Sequence, residues 1–426
     1  MSSKISAEQP VVPVITGGDL GAYSLAREYH ERFGWMSAVV PTGQNLIVGG
    51  SKLTELYPAG PMFDPETVTA HLEQVARSVN AHTPDRPLVL HSGYDHLVRI
   101  VAQKADRLRE AGYVFPAVTV EQLDRAALKE HFYELCRTYS VPYPRTLIYD
   151  SHAAAEQSTS SDDFLNSFHG ARLSYPVVLK ADNGGQWAST RFEGRRKVHY
   201  IDNDANLKEV LDKATDAGYR GGLIVQEFIP GPDSQLRILT MYRNADGNIT
   251  LSGLCEVIVE DHAVGLEGNA RAVIAVPDNT IHHHGAKILD SLDWHGFAMF
   301  DIKVHPTTGE PMFLEMNPRL GRHHYYLTAA GRNPVDFYLG DLLGDFDEPA
   351  PAHVEHLALS TTIPLSVAQR YANDQQRHYI SELKKSGQVY TPLQYRQDKN
   401  FKRDLYQKYR LYKAAEEVQH RPGSMN

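Results

Sequence analysis

Two acids and an amide recur on two neighbouring apolar stretches: Asp301 lies within Phe300-Asp301-Ile302-Lys303, and Glu315 and Asn317 lie within Phe313-Leu314-Glu315-Met316-Asn317-Pro318-Arg319. If both stretches are strands, side chains alternate between faces, so Glu315 and Asn317 share one face of a strand next to that of Asp301. Three oxygen donors can then converge on a hard cation. Magnesium keeps several waters and takes one or two carboxylates alongside substrate phosphates, so a donor set this sparse points to a nucleotide as the missing ligand. The same residues also fit a solvated hairpin edge turning at Pro306-Thr307-Thr308-Gly309-Glu310. Against that, both acids sit in apolar runs, where a carboxylate needs a cation or a partner. Arg319 adds a guanidinium suited to phosphate or carboxylate.

Other segments could supply the rest of a nucleotide site. Tyr175-Pro176-Val177-Val178-Leu179-Lys180 reads as a buried strand with one lysine at its end, followed by Ala181-Asp182-Asn183-Gly184-Gly185-Gln186-Trp187-Ala188-Ser189-Thr190. The lysine can point at phosphate, while amides of a small-residue turn can form an anion nest. An ordinary hairpin turn fits that loop equally well. The apolar strand Gly222-Leu223-Ile224-Val225-Gln226-Glu227-Phe228-Ile229 breaks at Pro230-Gly231, which would expose backbone groups to a base edge, and Asp233 follows as a possible ribose ligand.

The elements that must position these groups alternate. Residues 11–15 form an apolar run that ends in Thr16-Gly17-Gly18-Asp19, then residues 22–33 have helical spacing, and the pattern repeats at residues 87–95 and 97–108. Alternating strand and helix implies a parallel, Rossmann-like sheet with ligands at the carboxyl ends of its strands. Residues 124–136 read as one helix capped by Asp124, with Leu128, Phe132 and Leu135 inward and Val141-Pro142-Tyr143-Pro144 as its stop. Residues 153–163 read as a surface linker before a capped helix at 162–168. Past Gly344 come a connector, a helix over 366–385, and a tail over 399–417. There Leu405, Tyr409 and Tyr412 recur at helical spacing, as expected of a helix packed on the body or on a second subunit.

In this order the lysines, glycine turn, hinge strand and acid-amide set resemble the ATP-grasp superfamily over residues of about 11 to 340. The resemblance implies an α/β ATP-grasp fold: a Rossmann-like domain (1–123), a small lid domain (124–225), a larger α+β domain with the magnesium site (226–345) and a helical C-terminal extension (346–426). It implies ATP and Mg2+ as cofactors. Lys129, Lys180, Asn183, Gly184, Gly185, Gln226, Glu227, Phe228, Ile229 and Asp233 are then the nucleotide ligands, and Asp301, Glu315 and Asn317 the metal ligands. Arg319 completes the Glu-x-Asn-x-Arg pattern as a catalytic arginine. Where D-alanine ligases carry an arginine two residues before the first magnesium acid, Met299 stands, and Arg271 is the substitute. Within the superfamily, residues 128–136 and 141–146 are most similar to the D-aspartate ligases of Gram-positive bacteria, which join the β-carboxyl of D-aspartate to a lysine amine of a peptidoglycan precursor. The expected partners are therefore an amino acid and an amine acceptor.

Composition sets limits on other readings. At 426 residues the chain is long enough for several domains. A net charge of -9 gives no basic field for a nucleic acid. Two cysteines, Cys136 and Cys255, build neither a disulfide framework nor a zinc cluster, which suits a reducing cytoplasm. No apolar run approaches the roughly 18 residues that span a bilayer. Two other classes stay open. A non-catalytic nucleotide-binding regulator would have less need of the complete acid, amide and lysine set. A dehydrogenase built on Gly17-Gly18 lacks a ribose-binding acid at a strand end, since Glu31 lies in a helix and Glu55 is too distant. The histidine runs His282-His283-His284 and His323-His324 point to opposite sides of an element and do not converge on one ion. His323 and His324 are instead expected to line the acceptor cleft.

Overall fold

The computed structural model describes residues 5–6, 8–43, 45–182, 184–262, 268–277, 280–344, 346 and 353–419. The chain forms two compact units: Met1–Leu123 with Asp233–Asp301 and Asn317–Asn426, and Asp124–Pro232 with Ile302–Met316.

The first unit contains a five-stranded, wholly parallel sheet in the order Thr54–Leu56, Ser37–Val40, Val12–Thr16, Leu88–Ser92, Tyr113–Val114. Its central strand is buried at every position, as expected when helices cover both faces of a parallel sheet. The Rossmann-like alternation is thus present. Gly17 leaves this strand at φ 100°, a left-handed value, and a Cβ on Gly93 would meet the Thr16 carbonyl oxygen at 2.5 Å, so both turns require glycine. Asp19 caps the helix Leu20–Phe33 by accepting from the Ala22 amide. The helix expected over 97–108 is two, Asp95–Gln103 and Ala105–Glu110.

A seven-stranded sheet runs Pro311–Asn317, Gly296–Val304, Leu236–Arg243, Ile249–Glu260, Ala270–Val276, Ala358–Thr361, Val389–Tyr390. Its last two strands come from beyond residue 346, where two helices also form, Leu365–Tyr371 and Asp374–Ser386, the second opened by an Asn373/Gln376 capping box. A single helix had been expected there. The tail is helical over Phe401–Gln419, and the stripe read from its sequence is not the face that packs on the body. Leu405, Tyr409 and Tyr412 are exposed, and Arg403, Ala414, Ala415 and Val418 are buried. Small residues allow close approach to the body, which the aromatic positions would not.

The second unit is built on a four-stranded antiparallel sheet in the order Thr146–Asp150, Gly222–Glu227, Val177–Ala181, Val198–Ile201. The helices Ser161–Gly170 and Asp204–Asp216 contribute Phe168, Leu207 and Leu211 to its core. Ser160, not Asp162, caps the first of these. Residues 124–136 are not one helix. Val120–Ala127 ends before Leu128, and Lys129–Thr138 starts afresh, so Asp124 lies inside the first and Lys129 opens the second. Both cysteines are buried and free. Among the described residues, no helix is long and apolar enough to cross a membrane.

Candidate functional site

Within the second unit, Lys129 is positioned by its own backbone. The Asp182 carboxylate accepts from the Lys129 amide at 2.6 Å and the Glu130 amide at 3.4 Å, satisfying two donors that a helix start leaves open. The Lys129 Nζ lies 3.4 Å from Glu315 Oε2. Lys180, near the end of the strand Val177–Ala181, donates from Nζ to the Tyr133 hydroxyl at 3.2 Å. That hydroxyl in turn donates to the Leu314 carbonyl at 2.8 Å, one residue before Glu315. Tyr133 thus ties Lys180 to the strand that carries Glu315, the partner of Lys129.

Tyr133 was not singled out by sequence, because at helical spacing beside Phe132 it reads as core. Burial raises its hydroxyl pKa well above the ordinary range, and the hydrogen bond with Gln226 and the charge of Lys129 only partly offset this, so it stays a neutral donor and acceptor. Its ring stacks on Tyr143 with centroids 5.5 Å apart. The signal that could have found it is Tyr143 in the Val141-Pro142-Tyr143-Pro144 stop, a second tyrosine held rigidly next to that helix.

Gln226 is buried and donates to Thr146 Oγ1 at 2.8 Å. Glu227 accepts from Arg145; burial alone would raise its carboxyl pKa, but the hydrogen bonds and charge of Arg145 lower it. The ladder stops at Glu227, so Phe228 and Ile229 carry their backbone polar groups past the sheet. Lys303 Nζ sits 5.7 Å from the centre of the Phe228 ring. Asn183 lies outside the described residues. Gly184 and Gly185 do not form a loop: they begin a short helix, Gly184–Ser189, anchored by Trp187, whose indole donates to the Arg196 carbonyl.

Within the first unit, the Asn317 amide nitrogen donates to Asp301 Oδ2 at 3.1 Å. Arg319 Nη2 approaches Asn317 Oδ1 at 3.4 Å, and its Nε lies 2.6 Å from Asp95 Oδ1. A half-turn of the Asn317 amide would put an oxygen beside Asp301. Asp301 and Asn317 would then offer oxygen donors side by side, too few for a complete protein cage, as suits a magnesium ion that keeps waters and substrate phosphates. Among the described residues, no three His, Cys, Asp or Glu side chains are grouped to hold a metal by themselves.

Asp233 is engaged by the Glu260 amide at 3.1 Å and by His262 Nε2 at 2.8 Å. Arg271 lies on the strand Ala270–Val276, three strands from the one bearing Asp301, roughly 14 Å across the sheet at about 4.8 Å per strand. It is paired with Asp261 at 2.7 Å and Glu417 at 3.0 Å. This placement sets it apart from Arg319, which adjoins Asn317. A cavity of about 80 Å3 in the first unit is lined by Leu90, Val101, Phe297 and Arg319 but by neither Asp301 nor Asn317.

His324 does not line a cleft. It is sealed at 1% exposure against Glu28 at 0%, Nε2 to Oε2 2.9 Å. Burial lowers the His323 pKa to about 3, leaving it neutral. In the other histidine run, His282 contacts Ser252 and His353.

No family model matches the chain. It is 26% identical over 422 residues to a D-aspartate ligase of Enterococcus faecium (strain Aus0004), covering 97% of this chain and 96% of that one. Among solved structures, the ADP complex of the N5-carboxyaminoimidazole ribonucleotide synthetase purK superposes with a TM-score of 0.56 at 13% identity, covering 82% of this chain and 80% of that one. A biotin carboxylase from Campylobacter jejuni in complex with β,γ-ATP gives 0.56 at 15% identity, over 82% and 74%. At these identities the structures speak to the fold alone.

Proposed function

From the ATP-grasp fold of this chain and its whole-length likeness to a D-aspartate ligase, we propose that it is an ATP-dependent carboxylate-amine ligase that activates aspartate and transfers it to an amine. The observation that carries this reading is the cluster in which Lys129 pairs with Glu315 while the buried Tyr133 hydroxyl links Lys180 to the Leu314 carbonyl, one residue before that acid.

Joining a carboxylate to an amine requires a leaving group on the carboxyl carbon. A carboxylate oxygen of the acid attacks the γ-phosphorus of ATP, the bond to ADP breaks, and an acylphosphate results. The amine nitrogen then attacks the acyl carbon, phosphate leaves, and the nitrogen gives up a proton to yield the amide. The first step brings like charges together, so positioning and charge neutralisation are the main demands. Lys129 and Lys180 supply positive charge to phosphate oxygens. Asp301, Glu315 and Asn317 would hold magnesium, which when bound neutralises phosphate charge as a Lewis acid. Lys129 and Glu315 pair with one another, a cation suited to phosphate beside an acid suited to magnesium. Arg319, oriented by Asp95 and Asn317, offers a guanidinium to the developing charge. Gln226 to Ile229 present the backbone for the base, and Gly184 and Gly185 cover the phosphates. In this reading a lysine amine of a peptidoglycan precursor is the acceptor.

Hydroxylamine tests the activated carboxyl directly. With ATP, Mg2+ and D-aspartate, the chain should form aspartyl hydroxamate in step with ADP. ADP release that ignores the acid, or no release with any acid and amine, would replace this reading with that of a nucleotide-binding regulator.

A further inference from the structure

We infer that a cavity walled by Arg271, Arg322 and Arg410 holds the carboxylate of the acid substrate that does not react. This rests on the ligase reading above. A dicarboxylic amino acid must offer one carboxylate for phosphorylation and have the other fixed, or both would compete for the same electrophile.

The three guanidiniums come from three places in the first unit. Arg271 is on the strand Ala270–Val276, Arg322 stands three residues past Arg319, and Arg410 projects from the tail helix Phe401–Gln419. They line one cavity of about 30 Å3 together with Thr362 and Gln407, and no acid lines it. That is room for one small planar group, not for a nucleotide. Acids outside the lining pair with two of these arginines. Asp261 and Glu417 hold Arg271, and Asp19 lies 3.0 Å from Arg322 Nε while Asn269 Oδ1 accepts from its Nη1. Two of the arginines are thereby pinned without an anion entering the cavity. The buried Nε of Arg271 is left without an acceptor, an arrangement that a bound carboxylate would relieve. Arg410 makes no ion pair among the described residues. A planar carboxylate matches the guanidinium fork, so this wall recognises that group in preference to an amide.

The test compares D-aspartate with its α-amide, which keeps the reacting β-carboxyl and loses the other charge. Using the full chain, ATP, Mg2+ and a lysine-containing peptide, Arg410→Gln should raise KM for D-aspartate about tenfold or more. KM for ATP and for the α-amide should change about twofold or less, and Arg410→Lys should fall between. Unchanged KM for D-aspartate, an equal rise for acid and amide, or a rise confined to the peptide would overturn the assignment. If the wild type releases no ADP with D-aspartate, the ligase reading fails separately. The cavity is then judged by melting curves with succinate: stabilisation of the wild type that Arg410→Gln lacks supports it, and equal behaviour of the two rejects it.

Discussion

Lys129 Nζ and Glu315 Oε2 lie 3.4 Å apart, so the cation proposed for phosphate and the acid proposed for magnesium form an ion pair. Glu315 is 40% exposed on its side chain, and such a pair contributes about 0 to 1 kcal/mol to folding. Glu315→Gln should lower ATP turnover by about 100-fold or more through loss of metal-assisted charge stabilisation, with a melting temperature close to wild type. Addition of EDTA to the wild type should reproduce the loss, and excess Mg2+ should restore it. Full turnover in the variant would remove Glu315 from the metal site.

Tyr133→Phe separates positioning from charge. The phenylalanine keeps the stack on Tyr143 but cannot accept from Lys180 or donate to Leu314. The lost hydrogen bonds should cost about 1 to 2 kcal/mol in urea unfolding. KM for ATP should rise severalfold because Lys180 loses the hydroxyl that accepts from it, while KM for the amine is unmoved. Equal ATP affinity in the two proteins would show that Lys180 is held by other means.

How much of this was legible in the sequence follows from which interactions are local. The strand carrying Glu315 and Asn317, the glycine at the end of the first strand and the Asp19 turn were readable, because alternation, φ preference and capping act within a few residues. The break at Leu128 was not, because its cause is the remote Asp182 carboxylate that accepts from the Lys129 amide. The tail helix was placed correctly along the chain, but of the two expected places for its apolar stripe, the body or a second subunit, the body is not the one it packs on. A hydrophobic stripe of Leu405, Tyr409 and Tyr412 outweighs Ala414, Ala415 and Val418 in any periodicity count, whereas the docking depends on Arg403 reaching Asp398. His324 was misread for a similar reason: its partner, Glu28, is 296 residues away.

The Glu28 and His324 pair gives the fold a pH dependence of known sign. Burial by itself would lower the His324 pKa, but the charge and hydrogen bond of Glu28 overcome it and raise the value above the ordinary one. Stability from this group is complete below the unfolded pKa of about 6.5 and is lost as pH rises through the raised folded value. Wild-type melting temperature should therefore decline as pH climbs above about 6.5. Glu28→Gln should melt lower at pH 6 and show less of that decline. A wild-type curve that rises over the same interval would contradict the raised pKa.

Asp398 shows why the tail belongs to the folded body. It is 2% exposed and accepts from the Tyr23 hydroxyl at 2.8 Å, the Ser51 hydroxyl at 2.9 Å and the Lys52 amide at 2.7 Å, while Arg403 Nε lies 2.9 Å away. Arg403 also donates to the Leu46 carbonyl and stands over the Tyr23 ring at 4.2 Å. Removing the acid alone strands a buried guanidinium, which costs about 3 to 5 kcal/mol. Asp398→Ala should accordingly unfold at much lower urea, whereas Asp398→Ala with Arg403→Met removes both charges and should recover a large part of the loss. The double variant matters for function as well as folding. Arg410 lies two turns along the same helix, so loosening the tail should raise KM for D-aspartate in Asp398→Ala and less so in the double variant. If the two variants were equally unstable, the pair would be a packing contact and not a charge-balanced clasp.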